Sequence, residues 1–595
     1  MKLRIINLFI LLSVITSCSI TGAGQPVSPT ASTPVLKNLA LKKEVTASAQ
    51  TGQEPPGNTV DGTADTSWNS GAGPEQWIQI DLGAYAKITL IRLTIAQSPS
   101  GNTTHKVFVG ATSSDMRLIH QFSGVTSDNQ VLEFTPTIPL SNIQFVKIVT
   151  TESPSWVAWK EIEILGFDGG QNPNLEPVIN TADLIFFNGT VLTMEKNQPT
   201  AHALAIKDDI ILAVGSEAEV MKFKGDSTKL VDLEGMTLTP GFIDSHAHRL
   251  GDRWHFGEVS AEQMMDKALS QGWTSLHELF VFDQRLEELV NIDRANAMPL
   301  RVSMYLTMNF EYEYTKWWQA YQPLHQYSPY LQIAGLKITL DREWGEQVFF
   351  TQEQYTQMVL DGTQSGWQIA THSFSPTGNQ IVLNGYETGL NGQGNESLRL
   401  RLEHIGTMTD EQLRRMAKLG IIGSAGLIGA GGLPEDASFK KYIPADEVQH
   451  TARWRDLIDA GVFLIGNTDD PWCCTDWRNS FNGPSYDAAV VQAIYQGVTM
   501  TTFNGRQPEA WQFAQAVTVQ EALEMLTING AYAAHQEDVI GSLKPGKYAD
   551  IVILSANPLA TPIEDIPNII VEMTMVGGDV KYCNPNNSSM CGSAP

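Results

Sequence analysis

His246 and His248 stand two residues apart, so on an extended segment both imidazoles point to one side. Two neutral imidazoles presented together suit a borderline metal such as zinc. Further along come Lys337, His372, His404 and the adjacent acids Asp469 and Asp470. A carboxylate in such a set can ligate a metal and also take a proton from water whose pKa the metal has lowered. A single histidine is more often a hydrogen-bonded core residue, so the reading of a site rests on the whole set. His277 and Glu278 offer either a further polar contact or a role in the core.

The elements that must position these residues follow a strand–helix alternation after Pro240. Eight apolar runs read as strands: 238–243, 274–279, 300–306, 331–340, 367–372, 398–404, 421–425 and 462–466. Ser260-x-x-Gln263, Thr351-x-x-Gln354 and Thr409-x-x-Gln412 are capping boxes that start helices between them. Eight such units predict an α/β TIM barrel, with a doubly wound sheet as the alternative. His246, His248, His372, His404 and Asp469 then fall at or just after strand C-termini, the end of a barrel where chemistry collects, and Lys337 lies inside the fourth strand.

The chain has 595 residues, a prior of roughly four domains. Its net charge is 39 − 65 = −26, which excludes nucleic acid as an expected partner. Residues 1–17 read as an export signal: Lys2 and Arg4, then an apolar run of eleven residues, too short to span a bilayer. Residues 18–37 are rich in Ser, Thr, Pro and Gly and read as a tether. Residues 38–167 alternate short strand-like runs with turn signals and predict a β-sandwich. Residues 168–181 read as a linker and 585–595 as a tail. Of the five cysteines, Cys583 and Cys591 could close a small loop in an oxidising compartment, whereas Cys473 and Cys474 are adjacent.

Three resemblances follow from particular motifs. Ile15-Thr16-Ser17-Cys18 resembles the bacterial lipobox, which implies a diacylated Cys18 and a protein exported to the cell envelope, held on a membrane by its lipid anchor alone. Asn38-Leu39-Ala40, Val60-Asp61-Gly62, Ser67-Trp68, Gln76 to Gly83 and Lys160 to Gly166 resemble the F5/8 type C, or discoidin, fold. That likeness implies a jelly-roll sandwich, a structural calcium (Ca2+) on Asp61 and Glu161, and a glycan or surface ligand. Trp77, Trp156 and Trp159 are divided between stacking on such a ligand and packing the core.

The third resemblance covers about residues 180–584. Thr239 to His248, Gly335 to Ile338, Ile369 to His372, Arg401 to His404, Thr468 to Pro471 and Ile540 to Leu554 resemble the amidohydrolase superfamily, in particular its amidohydrolase 3 group. The likeness implies a composite β-sandwich from 182–238 and 540–584 flanking a barrel at 239–539. It implies that His246, His248, Lys337, His372, His404 and Asp469 hold one or two divalent metals, with Zn2+ expected and Lys337 carboxylated. Asp469 would be the catalytic acid, with Asp470 as the register alternative. Three departures touch the substrate pocket more than the metal set: only 28 residues separate His248 from His277, Ser373-Phe374-Ser375-Pro376 follows the fifth-strand histidine, and Asn467-Thr468-Asp469-Asp470-Pro471 replaces a simpler eighth-strand motif. The function so implied is metal-dependent hydrolysis of a non-peptide carbon–nitrogen bond in a small amide-type substrate. The rivals are an inert surface glycan- or lipid-binding lipoprotein, and a metal hydrolase of esters, lactones or carbamates.

Overall fold

A computed structural model describes residues 36–113, 116–136, 140–168, 181–251, 259–342, 347–428, 441–470, 489–501 and 507–587. The export segment, Cys18, most of the tether and linker, Cys473, Cys474 and Cys591 lie outside them. The chain divides into two units, Met1–Glu176 and Pro177–Pro595.

The first unit is all β. Its central strand, Gln76–Ile95, serves both layers of a sandwich. Residues 76–81 pair with Leu140–Glu152 and with Glu44–Ala47, whereas residues 86–95 pair chiefly with Ala158–Asp168 and Val131–Phe134. The turn between the halves sits at Gly83, whose φ of 75° favours glycine. Ile78, Ile80 and Leu82 alternate inward and meet Val107, Val109, Val146, Ile148 and Ile162 in one core. Trp159 belongs to that core at 1% exposure, whereas Trp156 stands 57% exposed.

In the second unit, a four-stranded sheet runs Ile210–Gly215, Ala203–Lys207, Leu184–Phe187, Lys229–Asp232. A six-stranded sheet includes Thr190–Leu192 and Thr237–Pro240 from the early flank and Ile551–Leu554, Val571–Val576 and Asp579–Cys583 from the late one. Leu184, Phe186, Ile206 and Val231 pack with Ile551, Ile553, Met573 and Met575, so both flanks share one core. Cys583 is disulfide-bonded.

The barrel strands are Phe242–Ala247, Trp273–Val281, Arg301–Thr307, Leu331–Thr339, Ile369–His372, Arg401–Glu403, Ile422–Gly426 and Leu464–Asn467, numbered one to eight below. Their spatial order is their chain order and every neighbouring pair is parallel. The first strand differs from expectation. Residues 238–243 were one apolar run, but Thr237–Pro240 pairs antiparallel with Ile551–Leu554 in the sandwich, and the barrel strand begins only at Phe242. Gly241 is the joint. A Cβ there would lie 2.1 Å from Thr274 Oγ1, so only glycine lets the chain pass between the two sheets. All three expected capping boxes form, at Ser260/Gln263, Thr351/Gln354 and Thr409/Gln412.

Candidate metal centre

Two backbone hydrogen bonds join strands eight and one, and they also place the acid. Asp469 N donates to His246 O at 2.9 Å, and His248 N donates to Asp470 O at 3.0 Å. With φ of 53°, Asp469 leaves the strand conformation and turns toward the histidines. His246 lies within strand one, fully buried, and His248 follows it.

The side chains converge. His246 Nε2 is 3.1 Å from His248 Nε2. Asp469 Oδ1 is 3.5 Å from the first and 3.4 Å from the second. Asp469 Oδ2 is 3.8 Å from His404 Nδ1, and His404 Nε2 is in turn 2.8 Å from His372 Nδ1. Asp469 therefore stands between two histidine pairs. Lys337 Nζ is 3.5 Å from His246 Nε2. Asp470 faces elsewhere, ion-paired at 3.0 Å with buried Arg249.

Electrostatics disfavours the charged form of His246, His372 and His404. Burial pushes His246 and His372 well below the usual histidine range, and the Lys337 charge adds to that. Burial and the neighbouring His372 do the same to His404. Neutral imidazoles are the ligand form. Asp469 Oδ1 and His372 Nε2 are buried and make no hydrogen bond among the described residues. Ligand atoms of His246, His248 and Asp469 all lie within 4.8 Å of one another. Orphaned buried acceptors beside converging imidazoles fit a divalent metal better than they fit a packed core.

A model of the amidohydrolase family matches residues 258–582, just over half of the chain. The chain belongs to this family. A model of the F5/8 type C domain matches residues 44–162. Imidazolonepropionase of Streptococcus sanguinis is 24% identical over 405 residues, covering 60% of this chain and 85% of that protein. The N-substituted formamide deformylase of Arthrobacter pascens is 28% identical over 242 residues, covering 39% of this chain and 40% of that enzyme. Among solved structures, an uncharacterised metal-dependent hydrolase from Pyrococcus horikoshii superposes with a TM-score of 0.52 at 17% identity, covering 64% of this chain and 99% of its own. That likeness is one of fold.

In this amidohydrolase the centre is braced by residues that sequence reasoning left without a role. Glu403 Oε2 accepts from His246 Nδ1 at 2.7 Å, which leaves Nε2 with its lone pair facing the centre. Arg401 grips the same carboxylate through Nε at 2.8 Å and Nη2 at 3.0 Å. Burial would raise the Glu403 carboxyl, but Arg401 and Lys337 hold it below the usual carboxylate range. Arg401 also donates to Ser245 O at 2.6 Å and to Tyr305 Oη at 2.8 Å. The detectable signal was Arg401 and Glu403 two apart on one strand, hence on one face.

Asp244, two before His246, accepts from Thr468 N at 2.9 Å and from its hydroxyl at 2.5 Å, tying strand one to strand eight. Asp341 has no periodic signal. It accepts from Phe374 N at 3.1 Å and Ser375 N at 3.2 Å and lies 3.7 Å from His372 Nε2. Phe374, part of the departing Ser-Phe-Ser-Pro segment, stacks on His404 with centroids 4.3 Å apart. His404 and Ile405 have φ of 69° and 41°; a β-branched residue there is strained, at the edge of the centre. His277 sits in the barrel interior with Nδ1 3.3 Å from Arg401, and Glu278 Oε2 accepts from the Leu250 and Gly251 amides, while His277 Nε2 and Glu278 Oε1 are buried and make no hydrogen bond among the described residues.

The N-terminal unit brings Asp61 and Glu161 together. Gly62 N donates to Glu161 Oε1 at 3.2 Å, and Asp61 Oδ1 closes an Asx turn with Thr63 N at 3.0 Å. Glu161 Oε2 is buried and makes no hydrogen bond among the described residues. Burial, then the Asp61 charge, pushes Glu161 up to about 7. Two hard-oxygen side chains with one buried oxygen unmatched fit a calcium ion.

Proposed function

We propose that this amidohydrolase cleaves a non-peptide carbon–nitrogen bond in a small amide-type substrate. The observation that carries the reading is Asp469, held between two pairs of histidines at the mouth of the barrel. His246, His248 and Asp469 would hold a divalent metal, with Zn2+ favoured by the imidazole donors. His372, His404 and a carboxylated Lys337 would hold a second. Carboxylation turns the Lys337 cation into an anionic oxygen donor, which suits its place beside His246 Nε2.

When bound, the metal supplies Lewis acidity to water and to the scissile carbonyl. The chain does the rest. Glu403 fixes the His246 tautomer. Asp469, near the surface of the centre at 15% side-chain exposure, takes a proton from the attacking water and delivers it to the leaving nitrogen. The His372–His404 pair lies beside Asp469 Oδ2, and with a single metal bound it would instead hold the carbonyl oxygen. The name of the formamide deformylase relative supports an amide-type bond.

We further propose export, lipidation at Cys18 and residence in a bacterial cell envelope, supported by the composition of residues 1–18. The N-terminal module would carry a structural Ca2+ and hold a glycan or other surface ligand, for which exposed Trp156 offers a stacking face.

The test is the metal-loaded protein on a panel of N-formyl and N-acyl amines, esters and lactones, alongside Asp469→Asn. The amides should turn over, and the variant should lose turnover while retaining metal. Full activity in Asp469→Asn would remove Asp469 from the proton path. Hydrolysis of esters or lactones alone would replace the proposed bond.

A further inference from the structure

A row of aromatic rings leads outward from the metal centre. The Phe280 ring lies 6.0 Å from the His248 ring. Phe282 meets Phe280 edge-on at 4.9 Å, and Phe310 lies 6.4 Å beyond Phe282. Exposure rises along the row: Phe280 and Phe282 are half-buried and Phe310 is 51% exposed. Phe310 is not on a slack loop. It sits on a two-stranded hairpin, Asn309–Phe310 with Glu313–Tyr314. Buried Asn309 donates to Thr339 O at 2.9 Å and accepts from Thr339 N at 3.0 Å, which clamps the hairpin to the end of strand four, two residues past Lys337. The barrel core does not need a ring there, because half of Phe310 faces solvent. A half-exposed apolar row that ends at a reactive centre is the form of a ligand surface.

The charges around the row narrow the ligand. Asp283 follows Phe282, and Glu313 is the cross-strand partner of Phe310. Arg342 is ion-paired with Glu311. A carboxylate on the distal end of a substrate would meet this acidic border, whereas a neutral ring would meet aromatic faces and edges.

We infer that Phe280, Phe282 and Phe310 form a specificity subsite for an uncharged, apolar substituent, preferably ending in an aryl ring, attached next to the scissile bond. This rests on the hydrolase reading above for the bond and adds the substrate class.

The experiment compares kcat/KM for amides identical at the scissile bond, bearing methyl, phenylethyl or a carboxylate-ended chain of equal length on either side. Beside it, calorimetry compares benzylacetone with acetone, ketones that carry no hydrolysable bond. The parent protein should favour phenylethyl over methyl by about tenfold or more and discriminate against the carboxylate. Phe310→Ala and Phe282→Ala should each shrink the phenyl-to-methyl ratio about three- to tenfold, and Phe310→Leu should restore most of it. Unfolding midpoints are recorded for each variant, and exposed Phe310 is expected to leave the midpoint within the error of the parent. A parent ratio near one, ratios unchanged in both alanine variants, or preference for the carboxylate would overturn the inference. If no amide is cleaved but benzylacetone binding is lost in Phe310→Ala, the subsite stands and the hydrolase reading falls. If the parent binds benzylacetone no better than acetone, the subsite falls whatever the turnover.

Discussion

Replacing Glu403 by glutamine removes one charge from a wholly buried group and leaves its volume unchanged. The carboxylate accepts from Arg401 Nε at 2.8 Å, Arg401 Nη2 at 3.0 Å and His246 Nδ1 at 2.7 Å, and also from the Ser424 side chain. An amide has a single oxygen, so its NH2 must face a donor whichever way it lies. On the Oε2 side it would force His246 to accept at Nδ1 and carry its proton on Nε2, the atom turned toward His248 and Asp469. Arg401 meanwhile loses its buried counterion. Breaking such a pair costs about 3–5 kcal/mol of stability. Losing the partner that orients a ligating histidine weakens metal binding about 10- to 100-fold, which is about 1.4–2.7 kcal/mol. The assay is competition for zinc against a chromophoric chelator, with thermal unfolding measured on the same samples. Tyr305→Phe is the control: it removes the phenol that accepts from Arg401 at 2.8 Å, and should cost about 1 kcal/mol with metal affinity unchanged. If Glu403→Gln lowers the unfolding midpoint while its zinc dissociation constant stays within twofold of the parent, Glu403 is a structural counterion and the positioning argument is refuted.

Two further outcomes concern the N-terminal module. Burial holds the His105 imidazole down at about 4, against 6.5 when exposed, so stability is complete above pH 6.5 and falls by about 3 kcal/mol as pH drops toward 4. Hydrogen exchange of the strand Gly101–Gly110 in full-length Glu161→Gln, which lacks the opposing titration of that carboxyl, reads this; protection unchanged between pH 7 and 4.5 in that variant would contradict it. Glu161 runs the other way. With its carboxyl raised from 4.5 to about 7 by burial and by Asp61, ionisation costs the fold, so stability falls as pH rises from 4.5 through 7. Calcium should therefore raise the module's unfolding temperature at pH 8 and have little effect at pH 5, and Glu161→Gln should abolish the calcium response and leave only the opposite slope of His105. An equal calcium response at both pH values would remove Glu161 from the ion.

Much of the architecture was readable because its signals are local. Period-two alternation marked strands such as Gln76–Asp81, and capping boxes marked the starts of three barrel helices. The site histidines were readable because each sits at or just past a strand end. What was hidden depends on contacts between distant segments. The run 238–243 is uniformly apolar, and only the pairing of Thr237–Pro240 with Ile551–Leu554 shows that it divides between two sheets. That Asp469 and not Asp470 faces the histidines follows from the left-handed backbone at 469 and the Arg249 pairing of 470, neither of which the sequence spells out. Asp341 acts through a loop contact that no periodicity encodes, and the aromatic row is assembled from the ends of two strands.

The central claim is that this fold works as a metal-dependent hydrolase, and reversible metal removal tests it most directly. The protein is stripped with a chelator and dialysed. Zinc is then returned in steps, with bound metal and amide turnover measured at each step. Turnover should fall to background in the stripped protein and return in proportion to metal rebound, saturating at one or two ions per chain. Full turnover without metal, or a protein that retains none and gains nothing on addition, would contradict the account.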